Sequence, residues 1–435
     1  MAFDWIGYLR TRVGPMGLVR ALRSRNYRLF FAGQGISLVG TWMQMVAVGW
    51  LVYRLTNSTM LLGLTGFAGQ IPVLLLAPLG GVAADQWPLR RLLVITQTLS
   101  LVQALLLAGL TLSGIVSPAA IITLSAFLGI VNALDMPVRQ AFVVEMLADP
   151  ADLGNAIALN SLLVNGARLV GPALAGVLIA ALGEGLCFLL NGISYIAVIA
   201  ALLAMRVPAR PARGAIRPIA AELAEGFRYA LGFPPIRDVL GLLAVFSLMG
   251  MSYATIMPAF VRDVLHGDSR VYGLLLGTTG LGALVGATLL AARRSARGLG
   301  RTIAAGAMLF GGGLCIVAVF RTIALAAVLL PIVGLGMMLQ IVASNTVLQI
   351  LVDDDKRGRV MSLYAMAFLG MTPFGSLLVG GLAHSLGTPL ALQIGGVCCL
   401  LGGLVFAGRL PALRPLARAI YLRKGLITQE DARAN

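Results

Sequence analysis

Two stretches of the chain align without a gap: LADPADLGNAIALNSLLVNGARLVGPALAGVLIAALG at residues 147–183 and LVDDDKRGRVMSLYAMAFLGMTPFGSLLVGGLAHSLG at residues 351–387. Eleven of the 37 aligned positions are identical. The identical pairs include Asp149/Asp353 and five pairs of glycines: Gly154/Gly358, Gly166/Gly370, Gly171/Gly375, Gly176/Gly380 and Gly183/Gly387. Chance agreement between two apolar sequences would not give this set of glycines, the residue that lets helices approach closely. The alignment therefore indicates two related halves.

A chain built from two related halves has one of the architectures of secondary transporters. In such proteins, parallel repeats of six spans each place the substrate site where the repeats meet. Transport of a small-molecule substrate is therefore the first hypothesis for this chain.

The composition is that of a protein whose solvent is the lipid bilayer. Of the 435 residues, 59% are apolar and only 11% are charged, which is too apolar for a soluble domain of this length. A span needs about 20 mostly apolar residues. Twelve spans are predicted, at 29–53, 59–84, 92–113, 117–138, 155–182, 185–205, 237–260, 271–292, 302–320, 323–350, 359–386 and 388–408. The predicted fold class is an all-α integral membrane protein with twelve transmembrane helices in two six-helix repeats.

The distribution of basic residues predicts the orientation. With both termini in the cytoplasm, 28 of the 33 Lys and Arg residues are cytoplasmic, four lie on the opposite side, and Arg168 remains inside a span. This bias follows the positive-inside rule. The first apolar stretch is too long for a signal peptide, so we expect it to be retained. The expected protein is a monomer in the bacterial inner membrane.

The net charge of +16 would also suit a nucleic-acid-binding protein. The arginines flank the spans instead of forming one patch, so no nucleic-acid partner is expected.

Polar segments divide the chain into five predicted parts. These are a cytoplasmic N-terminal segment (1–28), a first six-helix bundle (29–205), a cytoplasmic linker (206–236), a second six-helix bundle (237–409) and a cytoplasmic tail (410–435). Within the linker, residues 219–229 have the pattern of a short amphipathic helix on the membrane surface. A solvated connection without further function is the alternative.

The connection between spans 2 and 3 reads GGVAADQWPLRR at residues 80–91. A carboxylate at the end of a span, next to two arginines, can form an ion pair in a partly desolvated place. The stretch resembles the major facilitator superfamily signature G-x-L-A-D-R-x-G-R-R. It matches at Gly81, Ala84, Asp85, Arg90 and Arg91, and departs at Ala83, Gln86, Pro88 and Leu89.

In that superfamily, the aspartate and the basic residues form a cytoplasmic charge network that latches the two halves in the outward-facing state. The resemblance implies this role for Asp85, Arg90 and Arg91, with a network weakened by the missing arginine at Gln86. The alternative is an orientation signal without a gating role.

The fourth span ends with NALDMPVRQAF at residues 132–142. Asp135 and Arg139 are four residues apart and share a helix face, although Pro137 bends the helix between them. The stretch resembles the D-x-P-x-R-Q signature of the branch that holds bacterial drug exporters and the enterobactin exporter. The resemblance implies that Arg139 joins Asp85 in the latch. A structural ion pair at the membrane boundary is the alternative.

Span 5 contains ARLVGPALAG at residues 167–176. It is similar to the antiporter motif G-x-x-x-G-P-x-x-G-G of superfamily exporters, with alanine at the first and fourth small positions. Small residues four or five apart form a tight packing face, and a proline allows a kink. The matching residues are Gly171, Pro172 and Gly176, and span 8 offers a similar surface in Gly273, Gly277, Gly282 and Gly286.

Arg168 is the one charge predicted at the middle of a span, and ionisable groups at that depth are costly enough to be functional candidates. We expect it to face the interior. There it either pairs with Asp135 or a backbone carbonyl, or it contacts an anionic or polar substrate.

Aromatic, amide and methionine side chains at similar depth are the other candidates for a substrate cavity, because together they form an adaptable apolar pocket. They are Trp42, Gln44, Gln70, Asn165, Tyr253, Met337, Met338 and Gln340. For each of them, ordinary helix packing is the alternative.

The coupling ion is less well defined by the sequence, because no carboxylate is predicted at the midplane. Asp135 is the first candidate for a proton carrier, since a carboxyl group buried in a membrane is costly to keep charged. His384, near the outer end of span 11, is the second, with a packing or surface histidine as the alternative.

Other classes of membrane protein are disfavoured. An ATP-driven pump would need a G-x-x-x-x-G-K-[ST] loop, and the two histidines, His266 and His384, cannot form the HExxH site of a metalloenzyme. The acidic tract 353–355 is followed at once by basic residues and is interpreted as a loop or helix start. No cofactor and no metal are expected.

The sequence therefore predicts a major facilitator exporter of amphiphilic drugs or siderophore-like metabolites, exchanging them for protons. A lipid or metabolite facilitator, a non-transporting membrane sensor and an integral enzyme are the alternatives.

Overall fold

The computed structural model describes residues 19–207, 227–293, 295, 297–353 and 356–424. Within these residues, twelve helices are long and apolar enough to cross a membrane. They are α1 (Arg25–Thr56), α2 (Thr59–Gln86), α3 (Leu89–Leu112), α4 (Pro118–Met146), α5 (Pro150–Leu182), α6 (Glu184–Ala204), α7 (Pro234–Val264), α8 (Ser269–Ala291), α9 (Leu299–Phe320), α10 (Ile323–Leu351), α11 (Arg357–Leu386) and α12 (Thr388–Arg423). The predicted all-helical membrane fold and its number of spans are confirmed.

Local capping explains where several helices begin and end. The Ser58 hydroxyl accepts a hydrogen bond from the N–H of Leu61 at the start of α2. Helices α5 and α11 both end at a glycine with positive φ, 83° at Gly183 and 86° at Gly387. Only glycine adopts such a backbone conformation without strain, which explains why this pair is identical in the two repeats.

The helices form two bundles with corresponding internal packing. In the first half, α2 packs on α4 and α3 packs on α6. In the second half, α8 packs on α10 and α9 packs on α12. The correspondence agrees with the two repeats inferred from the sequence.

The two halves meet mainly along two helix pairs, α5 with α8 and α2 with α11. A Cβ atom at Gly176 would lie 2.6 Å from the carbonyl oxygen of Ser269, and one at Gly380 would lie 2.7 Å from that of Thr59. Glycine is therefore required at both places for the helices to come this close. Because Gly176 and Gly380 are aligned positions of the repeat, identical residues make equivalent contacts.

The start of α1 and the end of α12 lie at the same end of the bundle, which we call the basic end because most arginines are there. The opposite end is called the far end. The basic end is the predicted cytoplasmic side.

The buried apolar cores show that the halves are joined at the far end. One cluster there contains residues of both halves, among them Leu51, Phe188, Phe260 and Leu275. At the basic end, one cluster contains only first-half residues and another only second-half residues. Both hydrogen bonds that link the halves within the described residues also lie at the far end. The structure is therefore a conformation closed at the far end.

Two boundaries differ from the sequence prediction. Helix α12 continues to Arg423, so residues 410–423 of the predicted tail are helical and pack on the second half. Helix α1 begins at Arg25, inside the predicted N-terminal segment. Most of the amphipathic helix predicted at 219–229 lies outside the described residues.

Three π-helical turns interrupt the helices of the second half. They are Phe246–Met251 and Phe260–Val264 in α7, and Met366–Gly370 in α11. Such turns are rare and are often found at functional sites. The hydrophobic pattern along the chain does not predict them.

Candidate substrate site between the two halves

Arg168 lies on α5 where this helix contacts both α1 and α8. Its guanidinium lies over the ring of Trp42, 5.0 Å from the centroid. A Cβ at Gly171 would lie 2.5 Å from the Cβ of Trp42, so the glycine lets α5 pack directly on α1. On the other side, a Cβ at Gly280 of α8 would lie 2.8 Å from the carbonyl oxygen of Arg168. Arg168 is therefore held at the junction of the two halves.

The guanidinium of Arg168 makes no hydrogen bond or ion pair with any described residue, and its Nε is buried. It interacts electrostatically with the side chain of Tyr253 on α7. The alternative in which Arg168 pairs with Asp135 is not found, because other groups occupy that carboxylate. A partly buried guanidinium with unused donors is suited to binding an anionic or polar ligand.

Tyr253 approaches the junction from the second half. Only Ser252 separates it from the π-helical turn Phe246–Met251 of α7. Its hydroxyl lies near the side chain of Thr279 of α8. Its ring lies edge-on to that of Phe310, with 5.8 Å between centroids. These contacts fix the tyrosine beside Arg168.

Of the two amide candidates on α5 and α2, Asn165 lies close to Arg168 along its own helix. Asn165, one turn before Arg168, donates from Nδ2 to the carbonyl of Ser161 at 2.8 Å. Its buried Oδ1 has no partner within the described residues. Gln70 is half-buried and donates to the carbonyl of Gly66 at 3.3 Å. The unused acceptor Oδ1 of Asn165 and the unused donors of the Arg168 guanidinium therefore lie one turn apart on α5.

Gln44 is directed away from Arg168, into the first half. Its Oε1 accepts a hydrogen bond from Asn191 Nδ2 at 2.8 Å, and its Nε2 donates to Gln103 Oε1 at 3.0 Å. These partners lie on α6 and α3, inside the first half. Two residues along a helix rotate a side chain by about 200°, so Trp42 and Gln44 point in nearly opposite directions.

The candidates on α10 also belong to helix packing. Gln340 is fully buried, and a Cβ at Gly306 of α9 would lie 2.7 Å from its backbone nitrogen. The Cβ of Met338 lies 3.0 Å from the Cβ position of Gly286 on α8. Met337 lies in the apolar cluster at the far end. These side chains lie in the packed interior of the second half, where the amide of Gln340 has no hydrogen-bond partner among the described residues.

Asp135 lies toward the basic end of α4 and is 1% exposed. Its Oδ1 accepts hydrogen bonds from Thr96 Oγ1 at 2.7 Å and Gln97 Nε2 at 2.8 Å, both on α3. Arg139 donates to its Oδ2. In this conformation Asp135 pairs with Arg139, the arrangement given above as the alternative to the latch, and α3 supplies two further partners that the spacing did not predict.

The latch between Asp85 and Arg139 is not formed in this conformation. Asp85 is exposed at the end of α2 and has no ion pair with any described residue. Arg139 is directed toward the buried Asp135 instead. Arg90 donates to the carbonyl of Leu203 at 2.8 Å, at the end of α6, and Arg91 is exposed.

The antiporter-like motif on α5 packs in two directions. Gly171 contacts α1, whereas Gly176 contacts α8. Pro172 lies between them, inside the helix. The motif is therefore part of the surface that joins the halves. His384 is exposed in the last turn of α11 at the far end, away from Arg168.

The closure at the far end was not foreseen from the sequence. The Tyr53 hydroxyl of α1 donates to the Asp263 carboxylate of α7, and the Arg262 guanidinium lies 5.8 Å from the centroid of the Tyr53 ring. Trp50 stacks on Tyr272 of α8 at 5.7 Å. Aromatic residues at span ends are common, so only the fold showed that these pair across the halves.

Within the described part of the chain, no group of three or more His, Cys, Asp or Glu side chains could hold a metal ion. Of the acidic tract, Asp353 pairs with Arg423, and residues 354–355 lie outside the described residues.

Comparison with known proteins identifies relatives along nearly the whole chain. The family described as transmembrane secretion effector matches residues 17–419. The staphyloferrin A transporter of Staphylococcus aureus is 28% identical over 87% of this chain and 95% of its own length. The multidrug efflux pump Tap of Mycolicibacterium fortuitum is 26% identical over 88% and 94%, respectively. A solved bacterial homologue of the human lysosomal transporter Spinster has a TM-score of 0.64 at 13% identity, covering 92% of this chain and 98% of that one.

Proposed function

This chain belongs to the transmembrane secretion effector family of the major facilitator superfamily, and on that premise we propose that it exports amphiphilic drugs or siderophore-like metabolites in exchange for protons. Its family and its twelve apolar helices make it a transporter of small molecules in the bacterial inner membrane, and not an enzyme. Beyond the family, we propose three properties: export as the direction of transport, the class of substrate, and coupling to protons.

The observation that carries the proposal is the unpaired guanidinium of Arg168 at the junction of the halves. Transporters of this architecture bind their substrates where the repeats meet. A guanidinium offers donors in a rigid planar fork that matches a carboxylate or a catecholate. The stacked Trp42 ring adds an apolar surface, so the pair suits an amphiphile that carries an anionic group.

Two relatives support the substrate class. One is named as a transporter of staphyloferrin A and the other as a multidrug efflux pump. A site that combines an aromatic face with an unused guanidinium serves both kinds of cargo, because apolar contact can bind a neutral drug while the charge selects an anionic siderophore-like compound.

The direction of transport follows from orientation and conformation together. If the basic end is cytoplasmic, as the positive-inside rule predicts, the closed far end leaves the site accessible from the cytoplasm. Substrate then enters from inside, and closure of the basic end with opening of the far end releases it outside. Asp135, with Arg139 as its partner, is the proposed proton carrier of this cycle.

The test uses inverted membrane vesicles, in which an exporter accumulates substrate. Wild type and Arg168→Lys are compared on an anionic siderophore-like compound and on a neutral drug at matched expression. The lysine keeps the charge but loses the fork, and a charge-assisted hydrogen bond contributes about 1.5–3 kcal/mol. We expect export of the anionic compound to fall by about 10- to 100-fold, with a smaller change for the neutral drug.

Arg321→Lys, an exposed arginine at the far end, is the matched control. Equal losses for both compounds in Arg168→Lys would contradict direct contact between Arg168 and the anion. No accumulation of any compound in wild-type vesicles, together with uptake in right-side-out vesicles, would favour a facilitator or importer. Transport in neither orientation would favour a membrane sensor.

A further inference from the structure

A cavity of about 600 Å³ lies at the basic end of the second half, at a distance from the junction that holds Arg168. Its walls come from the start of α7, the start of α9, the end of α10 and the last turns of α12. Five arginines line it: Arg293, Arg297, Arg301, Arg414 and Arg418. We call it the arginine cavity.

The charge around this cavity is of one sign. None of the described residues that line it is acidic. Arg414 and Arg418 are one turn apart on α12, and Arg301 faces the same space from α9. Like charges held around one cavity repel each other, so an anion bound between them would be strongly favoured.

The first turn of α9 adds uncharged donors to the same space. Its N-cap is Gly298, with a φ of 73° and no side chain to cap the helix. The first hydrogen bond of the helix runs from the N–H of Thr302 to the carbonyl of Gly298. The N–H groups of residues 299–301 therefore have no acceptor within the helix. All three residues line the cavity, and such a helix start attracts phosphate.

The inner part of the cavity is apolar. Ile303, Leu351, Phe406 and Leu410 line it and are buried. The cavity thus combines a cationic rim with an apolar floor at the place where α12 leaves its predicted span. A ligand that fits both parts carries an anionic head and a hydrocarbon chain.

The first half has a cavity at the corresponding place, between the start of α1 and the ends of α4 and α6, but Glu145 lines it together with Arg25 and Arg206, so its described lining is of mixed charge. There the start of α3 lies against the end of α6, and Arg90 donates to the carbonyl of Leu203 at 2.8 Å. Helix α6 ends at Ala204, whereas its counterpart α12 continues to Arg423. The extension of α12 is what supplies Arg414 and Arg418.

We propose that the arginine cavity binds the phosphate head group of an anionic phospholipid from the leaflet at the basic end. Basic pockets between transmembrane helices on the cytoplasmic side are suited to such head groups. The guanidiniums of Arg301, Arg414 and Arg418 hold the phosphate oxygens, the α9 N–H groups add donors, and an acyl chain lies on the apolar floor. The bound lipid ties α7, α9, α10 and α12 together at this end.

The test measures lipid retention by native mass spectrometry. Purified full-length protein is equilibrated with vesicles of phosphatidylglycerol and phosphatidylcholine. The variant Arg414→Gln/Arg418→Gln is compared with Arg23→Gln/Arg28→Gln, which removes two exposed arginines at the same end of the first half. Each arginine near an anionic lipid contributes about a fivefold gain in affinity. The cavity variant should bind phosphatidylglycerol about 25-fold more weakly, and the control variant should match wild type.

Further measurements distinguish an anionic phospholipid from other ligands of the arginine cavity. Arg301→Gln, on the opposite wall of the cavity, should weaken retention of phosphatidylglycerol about fivefold. This variant replaces the double variant in the test if the double variant does not fold. Millimolar inorganic phosphate should not displace the lipid; displacement would assign the cavity to a free anion. Equal retention by the cavity and control variants would overturn the proposal. Retention that appears only after Glu430→Gln/Asp431→Asn would instead assign the cavity to the acidic tail of the chain.

Discussion

Single polar residues in this protein take their roles from the direction in which their helix face points. Trp42 and Gln44 are close neighbours on α1, yet Trp42 stacks on Arg168 and Gln44 joins the amides of Gln103 and Asn191. A buried amide in a membrane protein needs partners for its donors and acceptors. The network supplies them by joining α1, α3 and α6.

The hydrogen-bond network around Gln44 should contribute to the stability of the first half. Gln44→Leu should lower the stability of the folded protein by about 1–2 kcal/mol, because it removes the partner of the Gln103 Oε1 acceptor and of the Asn191 Nδ2 donor. Thermal unfolding in detergent would show the loss as a lower Tm. Gln70→Leu is the matched control, since among the described residues Gln70 bonds only to the carbonyl of Gly66 on its own helix. Equal Tm values for the two variants would contradict the structural role of the network.

Asp135 is the proposed proton carrier, so its substitution should uncouple transport from the pH gradient. Asp135→Asn should abolish efflux driven by a pH gradient while substrate binding persists, because the amide cannot carry a proton through the cycle. Efflux is measured in vesicles with an imposed gradient, and binding by equilibrium titration of the purified protein. Asp152→Asn is the control, because it breaks another buried ion pair at the same end, with Arg20. Gradient-driven efflux that persists in Asp135→Asn would transfer the role to His384, whereas wild-type efflux that does not respond to the gradient would exclude proton coupling.

At the scale of helices, repeated glycines set how closely the two halves approach. Gly176 of α5 faces Gly273 of α8, and Gly380 of α11 faces Gly63 of α2, with Cβ-to-Cα distances of 3.0 Å and 2.8 Å for added Cβ atoms. Backbone at that distance cannot move without separating the helices. The far end therefore closes only while these glycines are present.

The element-scale prediction follows from that geometry. Gly176→Ala should shift the protein toward a conformation open at the far end, since overpacking costs about 1–3 kcal/mol, a five- to 150-fold change in population. Spin labels at Ser113→Cys and Thr322→Cys, in a background without the four native cysteines, would report a longer distance between the halves. Gly166→Ala is the control on the same helix, because nothing lies within 4 Å of a Cβ there. An unchanged distance in Gly176→Ala would show that the contact does not limit opening.

At the scale of the whole molecule, the two halves share an apolar cluster at the far end and have separate clusters at the basic end. The exposed Asp85 lies at the basic end. A latch involving Asp85 would therefore act when this end closes, in the conformation opposite to the one described.

The prediction for the latch is a loss of turnover without a loss of stability. Asp85→Asn should lower transport by about five- to 150-fold, the range of a coupling energy of 1–3 kcal/mol, with Tm and abundance near wild type. Asp149→Asn is the control, because it removes a charge at the same end and an asparagine can still accept the hydrogen bond from Ala151. Normal turnover of Asp85→Asn at matched expression would remove the latch from the mechanism.

The membrane environment, the twelve spans, the two repeats and the family resemblance could all be predicted from the amino-acid sequence. These properties depend on composition, on the length of apolar stretches and on local spacing, all of which are written along one chain. The ion pair between Asp135 and Arg139 was predictable for the same reason, because both residues lie on one helix face.

The tertiary structure alone decided which polar side chains meet. Gln44 and Gln340 are both buried amides within spans, but Gln44 is paired with Asn191 and Gln103, whereas Gln340 has no hydrogen-bond partner among the described residues. The pairs Tyr53 with Asp263 and Trp50 with Tyr272, the free guanidinium of Arg168 and the arginine cavity each depend on helices far apart in sequence. Helical periodicity predicts on which face of its helix a residue lies. It does not predict which neighbour contacts that face, because the neighbour depends on the packing of all twelve helices.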